Sequence, residues 1–208
     1  MYRSVYFQEN NRAVLEAFIK NNSFAILTGL TDQFPVATQI PVEIEEKDGQ
    51  LFLIGHLMKH TDHHTAFEKN DKVLVLFNGP HCFVSAAWYQ NPASASTWNY
   101  MTVQAKGKIF FTDEKETRTI IQQITEKYEG FDSPASFDRM EDDYINKMLK
   151  AIVGFRIAIE SIEGVFKLSQ NKTKEEQLNI IQELKKSQDQ QAQLIALAME
   201  SNTNHPTT

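Results

Sequence analysis

Residues 79–100 read GPHCFVSAAWYQNPASASTWNY. Gly79-Pro80 predicts a turn, a short apolar strand follows at Cys82–Ser85, and the small, polar residues 90–97 predict a loop. Four large amphipathic rings surround that loop, namely Trp88, Tyr89, Trp98 and Tyr100. Rings of this kind lie where an apolar body needs burial and a polar tip needs a partner.

The four rings have two interpretations at this point. In the first, the loop folds over its own aromatic core. In the second, the rings form a wall for a planar heterocycle, and Ser85, Thr97 and Asn99 supply its hydrogen bonds. The second interpretation agrees with the usual composition of ligand pockets, which combine apolar walls with a few placed polar groups.

Strand patterns lie on both sides of this stretch. Ile40, Val42 and Ile44 alternate with polar residues, which predicts a half-buried strand. Lys47-Asp48-Gly49 predicts a hairpin turn, and the run Leu51–Ile54 returns as the partner strand. Further strands are predicted at Phe24–Thr28, Lys72–Phe77, Met101–Phe111, with a bend or bulge at Gly107, and Val153–Ile159.

Helical patterns stand at the two ends of the strand region and beside its last strand. Capping boxes at Asp113–Glu116 and Thr173–Glu176 mark two helix starts, and residues 188–200 extend the second of these helices. The other helices are predicted at residues 11–21, Thr61–Glu68 and Asp142–Lys150. Closely spaced strands with helices at the ends indicate an antiparallel barrel or sandwich rather than a doubly wound sheet.

Composition and charge narrow the class of protein. The chain has 208 residues, of which 41% are hydrophobic and 23% charged, as in ordinary globular proteins. No apolar run approaches the ~20 residues that span a bilayer, so no membrane partner is expected. Cys82 is the only cysteine, which excludes an internal disulfide and favours a cytoplasmic setting. The formal net charge of −6, without a basic patch, does not support direct DNA binding.

The segment His56–His64 runs from a predicted strand end into a predicted helix. A cation beside a helix N-terminus suits a phosphate group, because the exposed N–H groups and the helix dipole both favour an anion. Lys59 is the candidate cation, and Thr61 offers a hydroxyl and an N-cap. A polar surface loop is the plain alternative. A metal site at His60 and His64 is less favoured, because the sequence lacks an HExxH pattern.

A second polar segment, Phe166–Asn171, reads FKLSQN. Lys167 and Gln170 are candidates to face an anionic or polar ligand, and a plain strand edge is the alternative. The sequence contains no GxSxG, GxGxxG or Walker motif. Cys82 lies within a predicted strand, so we expect a buried structural thiol rather than a nucleophile. No residue is marked as a committed catalytic acid or base.

The phrases GPHCFVSAAWY, TWNY, AIVGFRIAI and FKLSQNK, in this order and spacing, resemble the PaiB-type family, described as FMN-binding negative transcriptional regulators. The resemblance extends from Met1 to about Leu184. It implies an α+β, mainly β fold: a split antiparallel β-barrel with Greek-key character, flanked by helices. It also implies FMN as the cofactor and a homodimer with the cofactor near the subunit interface.

The resemblance assigns cofactor-binding residues to matching positions of this chain. Where the family commonly has Ala-Asn-Pro after the basic residue, this chain has His60-Thr61-Asp62, and Ala86 stands where proline is common. No metal ligand is implied. The expected cofactor-binding residues are His56, Lys59, His60, Thr61, Val84, Ser85, Trp88, Tyr89, Thr97, Trp98, Asn99, Tyr100, Lys167, Ser169 and Gln170.

Three functions follow as hypotheses. The first is a flavin-binding regulatory or sensor protein, in agreement with the resemblance. The second is an FMN-dependent oxidoreductase that uses NAD(P)H, and the third is a flavin-free small-molecule or haem-related binding protein, motivated by the histidines of His56–His64. The expected domains are a split barrel at residues 1–170, a C-terminal helical extension at 171–200 and a disordered tail at 201–208.

Overall fold

The computed structural model describes the backbone of residues 4–204 and the side chains of residues 4–202. The strands are β1 (Gln8–Glu9), β2 (Phe24–Gly29), β3 (Val36–Lys47), β4 (Gln50–Met58), β5 (Lys72–Val84), β6 (Thr97–Phe111) and β7 (Ile152–Lys167). The helices are α1 (Arg12–Asn21), α2 (Asp62–Lys69), α3 (Glu114–Glu129), α4 (Asp142–Ala151), α5 (Lys174–Lys186) and α6 (Gln190–Asn204). Short 3₁₀ turns lie at Ala86–Trp88 and Phe137–Arg139.

The described residues form two compact units. The first contains the described parts of Met1–Leu15, Asn78–Val103 and Glu163–Thr208. The second contains Glu16–Phe77 and Gln104–Ile162. Strands β5, β6 and β7 contribute residues to both units.

The second unit holds the barrel. The strand order is β7-β4-β3-β2-β5-β6, and a further pairing between β7 and β6 closes the ring. The pairs β2–β3, β3–β4, β4–β7 and β2–β5 are all antiparallel. Because β5 returns beside β2 after the meander β2-β3-β4, the topology is a Greek key. The predicted fold class, a mainly β split antiparallel barrel flanked by helices, is confirmed.

Glycine allows the closing strands to approach each other. A Cβ atom at Gly107 of β6 would lie 2.2 Å from the carbonyl oxygen of Ala158 on β7, which no real side chain permits. The sequence predicted a bend or bulge at Gly107. In the structure, glycine is needed there because the backbones of β6 and β7 lie too close for a side chain.

Helices α3 and α4 form apolar clusters in the second unit. Ile120 and Ile124 of α3 pack against Ile54 of β4 in one apolar cluster. Ile145 and Leu149 of α4 join a second cluster that also contains Ile121 and Phe137. Within the described part of the chain, no helix has both the length and the apolar character needed to cross a membrane.

The prediction of a turn at Gly79-Pro80 was wrong. A single strand, β5, runs from Lys72 to Val84. Its buried positions are Val73, Val75 and Phe77 before the Gly-Pro pair, and Cys82 and Val84 after it. The buried side chains therefore change from odd-numbered to even-numbered positions. The Gly-Pro pair marks this change of the buried face within one continuous strand, and the chain does not reverse there.

The prediction of one continuous C-terminal helix was also wrong. Helix α5 ends at Lys186, and the Ser187 backbone is extended (φ −65°, ψ 144°). Asp189 then starts α6, because its Oδ1 accepts the backbone N–H of Gln191 at 2.9 Å. Helix α6 continues to Asn204, inside the stretch predicted as a tail, and residues 205–208 lie outside the described residues.

We predict that Gly107→Ala lowers the free energy of unfolding by about 1–3 kcal/mol, because the new methyl group overpacks the β6–β7 contact. Chemical denaturation followed by circular dichroism measures the change. Lys72→Ala, at an exposed strand residue, is the control and should cost less than about 0.5 kcal/mol. Equal stability of the glycine variant and the control would contradict the close approach.

Candidate functional site

The residues predicted to bind the cofactor are divided between the two units. His56, Lys59, His60 and Thr61 lie in the second unit. The first unit contains the others, namely Val84, Ser85, Trp88, Tyr89, Thr97, Trp98, Asn99, Tyr100, Lys167, Ser169 and Gln170.

In the first unit the start of β6 and the end of β7 are joined by a lysine. The Lys167 ammonium donates to the hydroxyl oxygen of Thr97 and to the carbonyl oxygen of Trp98, the latter at 2.9 Å. Its Nζ also lies 6.0 Å from the centroid of the Phe7 ring. Burial lowers the pKa of Lys167. The two segments TWNY and FKLSQNK, which are 70 residues apart in sequence, are therefore in direct contact.

A buried amide and a buried hydroxyl reinforce this contact. Asn99 Nδ2 donates to Ser169 Oγ at 3.0 Å, and Ser169 Oγ donates to Asn99 Oδ1 at 3.1 Å. The Asn99 amide also lies 3.6 Å from the sulfur of Met199 in α6. Asn99 is 0% exposed and Ser169 is 3% exposed. These two predicted cofactor ligands therefore bind each other.

The turn after β7 is held by its own side chains. Ser169 has a left-handed backbone conformation (φ 61°). Gln170 accepts the backbone N–H of Leu168 at 2.7 Å and donates to the carbonyl of Phe166 at 2.5 Å. Because these bonds are local, the Gln170 amide fixes the shape of the turn.

The aromatic residues of the opening stretch have different environments. Trp98 is 54% exposed, and its ring lies 6.2 Å from those of both His81 and Phe83, centroid to centroid. Tyr100 is half-buried, whereas Tyr89 is buried. The exposed group of His81, Phe83 and Trp98 is called the aromatic surface below.

Trp88 and Tyr89 line a cavity of about 410 Å³ in the first unit. The opposite wall belongs to α5 and includes Glu175 and Glu176. Asn179 donates to the carbonyl of Trp88 at 2.7 Å. Sequence reasoning missed this wall, because the acidic pair at the start of α5 was interpreted only as part of a capping box.

Other predicted ligands of the first unit have structural contacts. Ser85 caps the 3₁₀ turn, because its Oγ accepts the backbone N–H of Ala87 at 3.2 Å. Val84 is fully buried. Lys172, which the sequence did not mark, lies 3.7 Å from the centroid of the Tyr89 ring. Burial raises the pKa of the Cys82 thiol to about 12, with a smaller effect from the charge of Asp189, so the thiol is protonated at neutral pH and inert.

In the second unit, Lys59 and Thr61 connect β4 to α2. Thr61 is the N-cap of α2: its Oγ1 accepts the N–H of His64 at 3.3 Å and donates to the Met58 carbonyl at 3.1 Å. The Lys59 ammonium donates to the carbonyl of Leu149, near the C-terminus of α4, at 3.0 Å. A cation there stabilises the helix dipole. Since an ammonium has three donors, two remain for a ligand.

The start of α2 already holds an anion of its own. Asp62 Oδ1 accepts the backbone N–H of His63 at 2.7 Å. His60 is exposed and has a left-handed backbone conformation (φ 64°). The ring of His64 is buried and packs 4.8 Å from that of Phe111. In the described part of the chain, no group of three His, Cys, Asp or Glu side chains is placed to hold a metal ion.

His56 of β4 and Tyr89 share one property. His56 Nδ1 and the Tyr89 hydroxyl are the two side-chain polar atoms that are buried without a hydrogen-bond partner among the described residues. Burial lowers the pKa of His56, so its ring is neutral at neutral pH. An unpartnered buried polar atom costs about 1–3 kcal/mol, and a bound ligand relieves that cost by supplying the partner.

Comparisons with solved structures show the class of fold. The flavocytochrome Anf3 from Azotobacter vinelandii matches with a TM-score of 0.64 and 12% identity, over 80% of this chain and 72% of that chain. The FAD and heme binding protein from Mycobacterium smegmatis matches with a TM-score of 0.60 and 16% identity, over 77% and 73%. At these identities the likeness concerns the fold, which is the split barrel.

Sequence comparison shows the family. The chain belongs to the FMN-binding domain family, because the family model described as "Putative FMN-binding domain" matches residues 1–161. Among curated proteins, the protease synthase and sporulation protein PAI 2 from Bacillus subtilis is 32% identical over 96% of this chain and 97% of its own length. The resemblance to the PaiB-type family and the prediction of FMN as the cofactor are confirmed.

The residues present fit FMN within each unit. In the second unit, His56 offers a buried nitrogen without a partner, Lys59 has two donors left, and Thr61 starts a helix. In the first unit, the Tyr89 hydroxyl lacks a partner, and Lys167, which donates to Thr97 and to the backbone carbonyl of Trp98, has one donor left. Amide, hydroxyl and ammonium groups of this kind suit the carbonyls and phosphate of FMN.

We predict that the free energy of unfolding falls as the pH drops from 7 to 5. The half-buried ring of His56 has a lowered pKa, so the unfolded chain takes up a proton at a higher pH than the folded protein does. Because the pKa of His56 is lowered in the folded protein, this loss of stability occurs at pH values below 6.5, the pKa of the unfolded chain's histidine. Urea titrations at several pH values measure it. A His56→Gln variant should lose this part of the pH dependence, while the same change at exposed His81 should keep it. Identical pH profiles for wild type and His56→Gln would contradict the assignment.

Proposed function

We propose that the protein binds FMN and acts as a flavin-dependent regulatory or sensor protein of the PaiB type. The observation that carries the proposal is the pair of buried polar atoms without a partner. Both belong to residues that the family resemblance assigns to the cofactor, His56 and Tyr89. FMN, when bound, supplies the redox chemistry, and the protein supplies binding and electrostatics.

Each unit has its own part in this proposal. For the second unit by itself, we assign a phosphate contact to Lys59 and Thr61. For the first unit by itself, we assign contacts with a flavin ring to the aromatic residues and Lys167. The spare donors of Lys59 and the exposed ring of Trp98 support these two assignments.

The regulatory part of the proposal does not require direct DNA contact. The net charge is −6, and phosphate binding needs a basic surface. We assign regulation to a partner protein, which responds to the flavin state, in the cytoplasmic setting predicted from the single cysteine. Gel-shift experiments with promoter fragments test this assignment, and a specific complex of the protein alone with DNA would contradict it.

We also propose a homodimer that uses the aromatic surface. Trp98 is 54% exposed and Phe83 is 49% exposed, although large rings are normally covered. Aromatic anchors of this kind are the residues that contribute most to protein interfaces.

An FMN-dependent oxidoreductase is the second candidate function. The observation that favours it is the neutral ring of His56, whose Nδ1 lacks a partner and can accept a proton. Under anaerobic conditions, NADH or NADPH would bleach the bound flavin if it reduces it. Bleaching fast enough to support catalytic turnover would favour the enzyme over the sensor.

We predict that the purified protein quenches FMN fluorescence with micromolar affinity, and that Lys59→Ala weakens FMN about tenfold more than riboflavin. A charge-assisted hydrogen bond to phosphate contributes about 1.5–3 kcal/mol, and riboflavin lacks the phosphate. Parallel fluorescence titrations of both ligands measure the difference.

Lys69→Ala is the matched control, because Lys69 is an exposed lysine at the C-terminal end of α2, whereas Lys59 precedes the start of that helix. It should leave both affinities unchanged. Equal losses for FMN and riboflavin in Lys59→Ala would refute the phosphate assignment. No binding of either ligand by the wild type would refute the flavin function and leave the flavin-free, haem-related hypothesis to be tested by haem titration.

For the dimer, we predict that Trp98→Ala increases the dimer dissociation constant at least tenfold, since the lost ring is an interface anchor. Sedimentation velocity over a concentration series measures the change. Phe131→Ala, at a ring that is 72% exposed outside the aromatic surface, should leave the dimer intact. A wild-type monomer, or equal dissociation constants for Trp98→Ala and the wild type, would contradict this interface.

A further inference from the structure

Five predicted cofactor ligands of the first unit lie where the start of β6 meets the end of β7, and they are called the Lys167 cluster. Its members are Thr97, Asn99, Lys167, Ser169 and Gln170. They form separate hydrogen-bonded sets: Lys167 with Thr97, Asn99 with Ser169, and Gln170 with the backbone on either side of Lys167. A ligand can use only those donors and acceptors that the cluster has not already used. Counting them separates the residues that can contact a ligand from those that hold the others in place.

Asn99 and Ser169 use most of their side-chain hydrogen-bonding groups on each other. The Ser169 hydroxyl both donates to and accepts from the Asn99 amide, and the amide nitrogen also contacts Met199. With exposures of 0% and 3%, neither side chain is accessible from outside. A ligand that bound them would have to break their mutual hydrogen bonds, and each broken bond leaves a buried polar group unsatisfied.

Gln170 is used in the same way. Its oxygen accepts the backbone N–H of Leu168, and its nitrogen donates to the carbonyl of Phe166. These two bonds close the turn that follows β7, and Ser169 sits in that turn with a left-handed backbone. The amide therefore fixes the backbone that carries Lys167.

Lys167 keeps an unused donor, unlike Asn99 and Ser169. Two of its three N–H donors go to neutral oxygens, those of Thr97 and Trp98, and one remains. In the described part of the chain it forms no ion pair with a carboxylate. A half-buried ammonium without a counter-charge attracts an anionic or strongly polar oxygen.

We propose that Lys167 contacts the flavin, at a carbonyl or anionic oxygen. We further propose that Asn99, Ser169 and Gln170 are positioning residues, which hold the backbone segments that carry Lys167 and its two acceptors and so act through Lys167. This inference rests on the proposed binding of FMN, and it changes the roles of three residues that the family resemblance assigns to the cofactor.

A double-mutant cycle on FMN affinity tests the inference, because residues that act through one another give non-additive losses. The proteins are the wild type, Lys167→Met, Ser169→Ala and the double variant, titrated with FMN by fluorescence quenching. We expect Lys167→Met to weaken binding about tenfold or more and Ser169→Ala about threefold to tenfold. In the Lys167→Met background, Ser169→Ala should change the affinity less than twofold.

Ser169→Gly is the second variant if Ser169→Ala folds poorly, because glycine removes the hydroxyl and tolerates the left-handed backbone. Riboflavin titrations place the contact. A loss for FMN alone places Lys167 at the phosphate, and equal losses for both ligands place it at the flavin ring; both outcomes support the contact. Additive losses, or an unchanged affinity in Lys167→Met, would overturn the inference while FMN binding by the wild type stands.

The pH profile of binding gives an independent readout. Because burial lowers the pKa of Lys167, its charge and the affinity that depends on it are present at neutral pH and are lost earlier than for an ordinary lysine as the pH rises. Lys167→Arg should keep its affinity to higher pH, since arginine stays charged. Parallel pH profiles for the wild type, Lys167→Met and Lys167→Arg would show that the charge plays no part.

Discussion

Closure of the barrel brings β6 against β7 at a distance that leaves no room for a Cβ atom at Gly107. This backbone contact completes the ring of six antiparallel strands in the second unit. The same two strands continue into the first unit, where β6 carries Thr97 and Asn99 and β7 ends at Lys167. Within the first unit, hydrogen bonds from Lys167 to Thr97 and from Ser169 to Asn99 join the ends of the same two strands.

Local patterns in the sequence predict most of the elements. The alternation at Ile40, Val42 and Ile44 gives β3, and the capping box at Thr173 gives the start of α5, where both reciprocal hydrogen bonds form. The two wrong predictions have local causes as well. A Gly-Pro pair signals a break in regular structure, but it does not say whether the chain reverses or the strand changes its facing. Asp189 begins a new helix through one side-chain hydrogen bond. The apolar pattern alone does not distinguish this new start from a continuation of α5.

The candidate site is less predictable, because its decisive bonds join residues that are distant in sequence. Nothing near Lys59 indicates that its ammonium contacts Leu149, 90 residues away. Nothing near Asn99 indicates that its amide is used by Ser169, 70 residues away. The family resemblance identifies both segments as important, and the structure distinguishes two reasons for this importance: contact with a ligand and support of a neighbouring residue. Residue types alone do not separate these roles, since asparagine and serine serve in both.

The proposal of flavin binding rests on which side-chain hydrogen-bonding groups already have partners and which do not. Among the described residues, the buried side-chain polar atoms are paired except at His56 in the second unit and Tyr89 in the first. A crystal structure of the protein with FMN tests the account most directly. We expect the Nζ of Lys167 within about 3.2 Å of a flavin oxygen, while Ser169 stays bonded to Asn99. FMN bound away from Lys167, or in direct contact with Asn99 and Ser169 after their mutual bonds have broken, would contradict it.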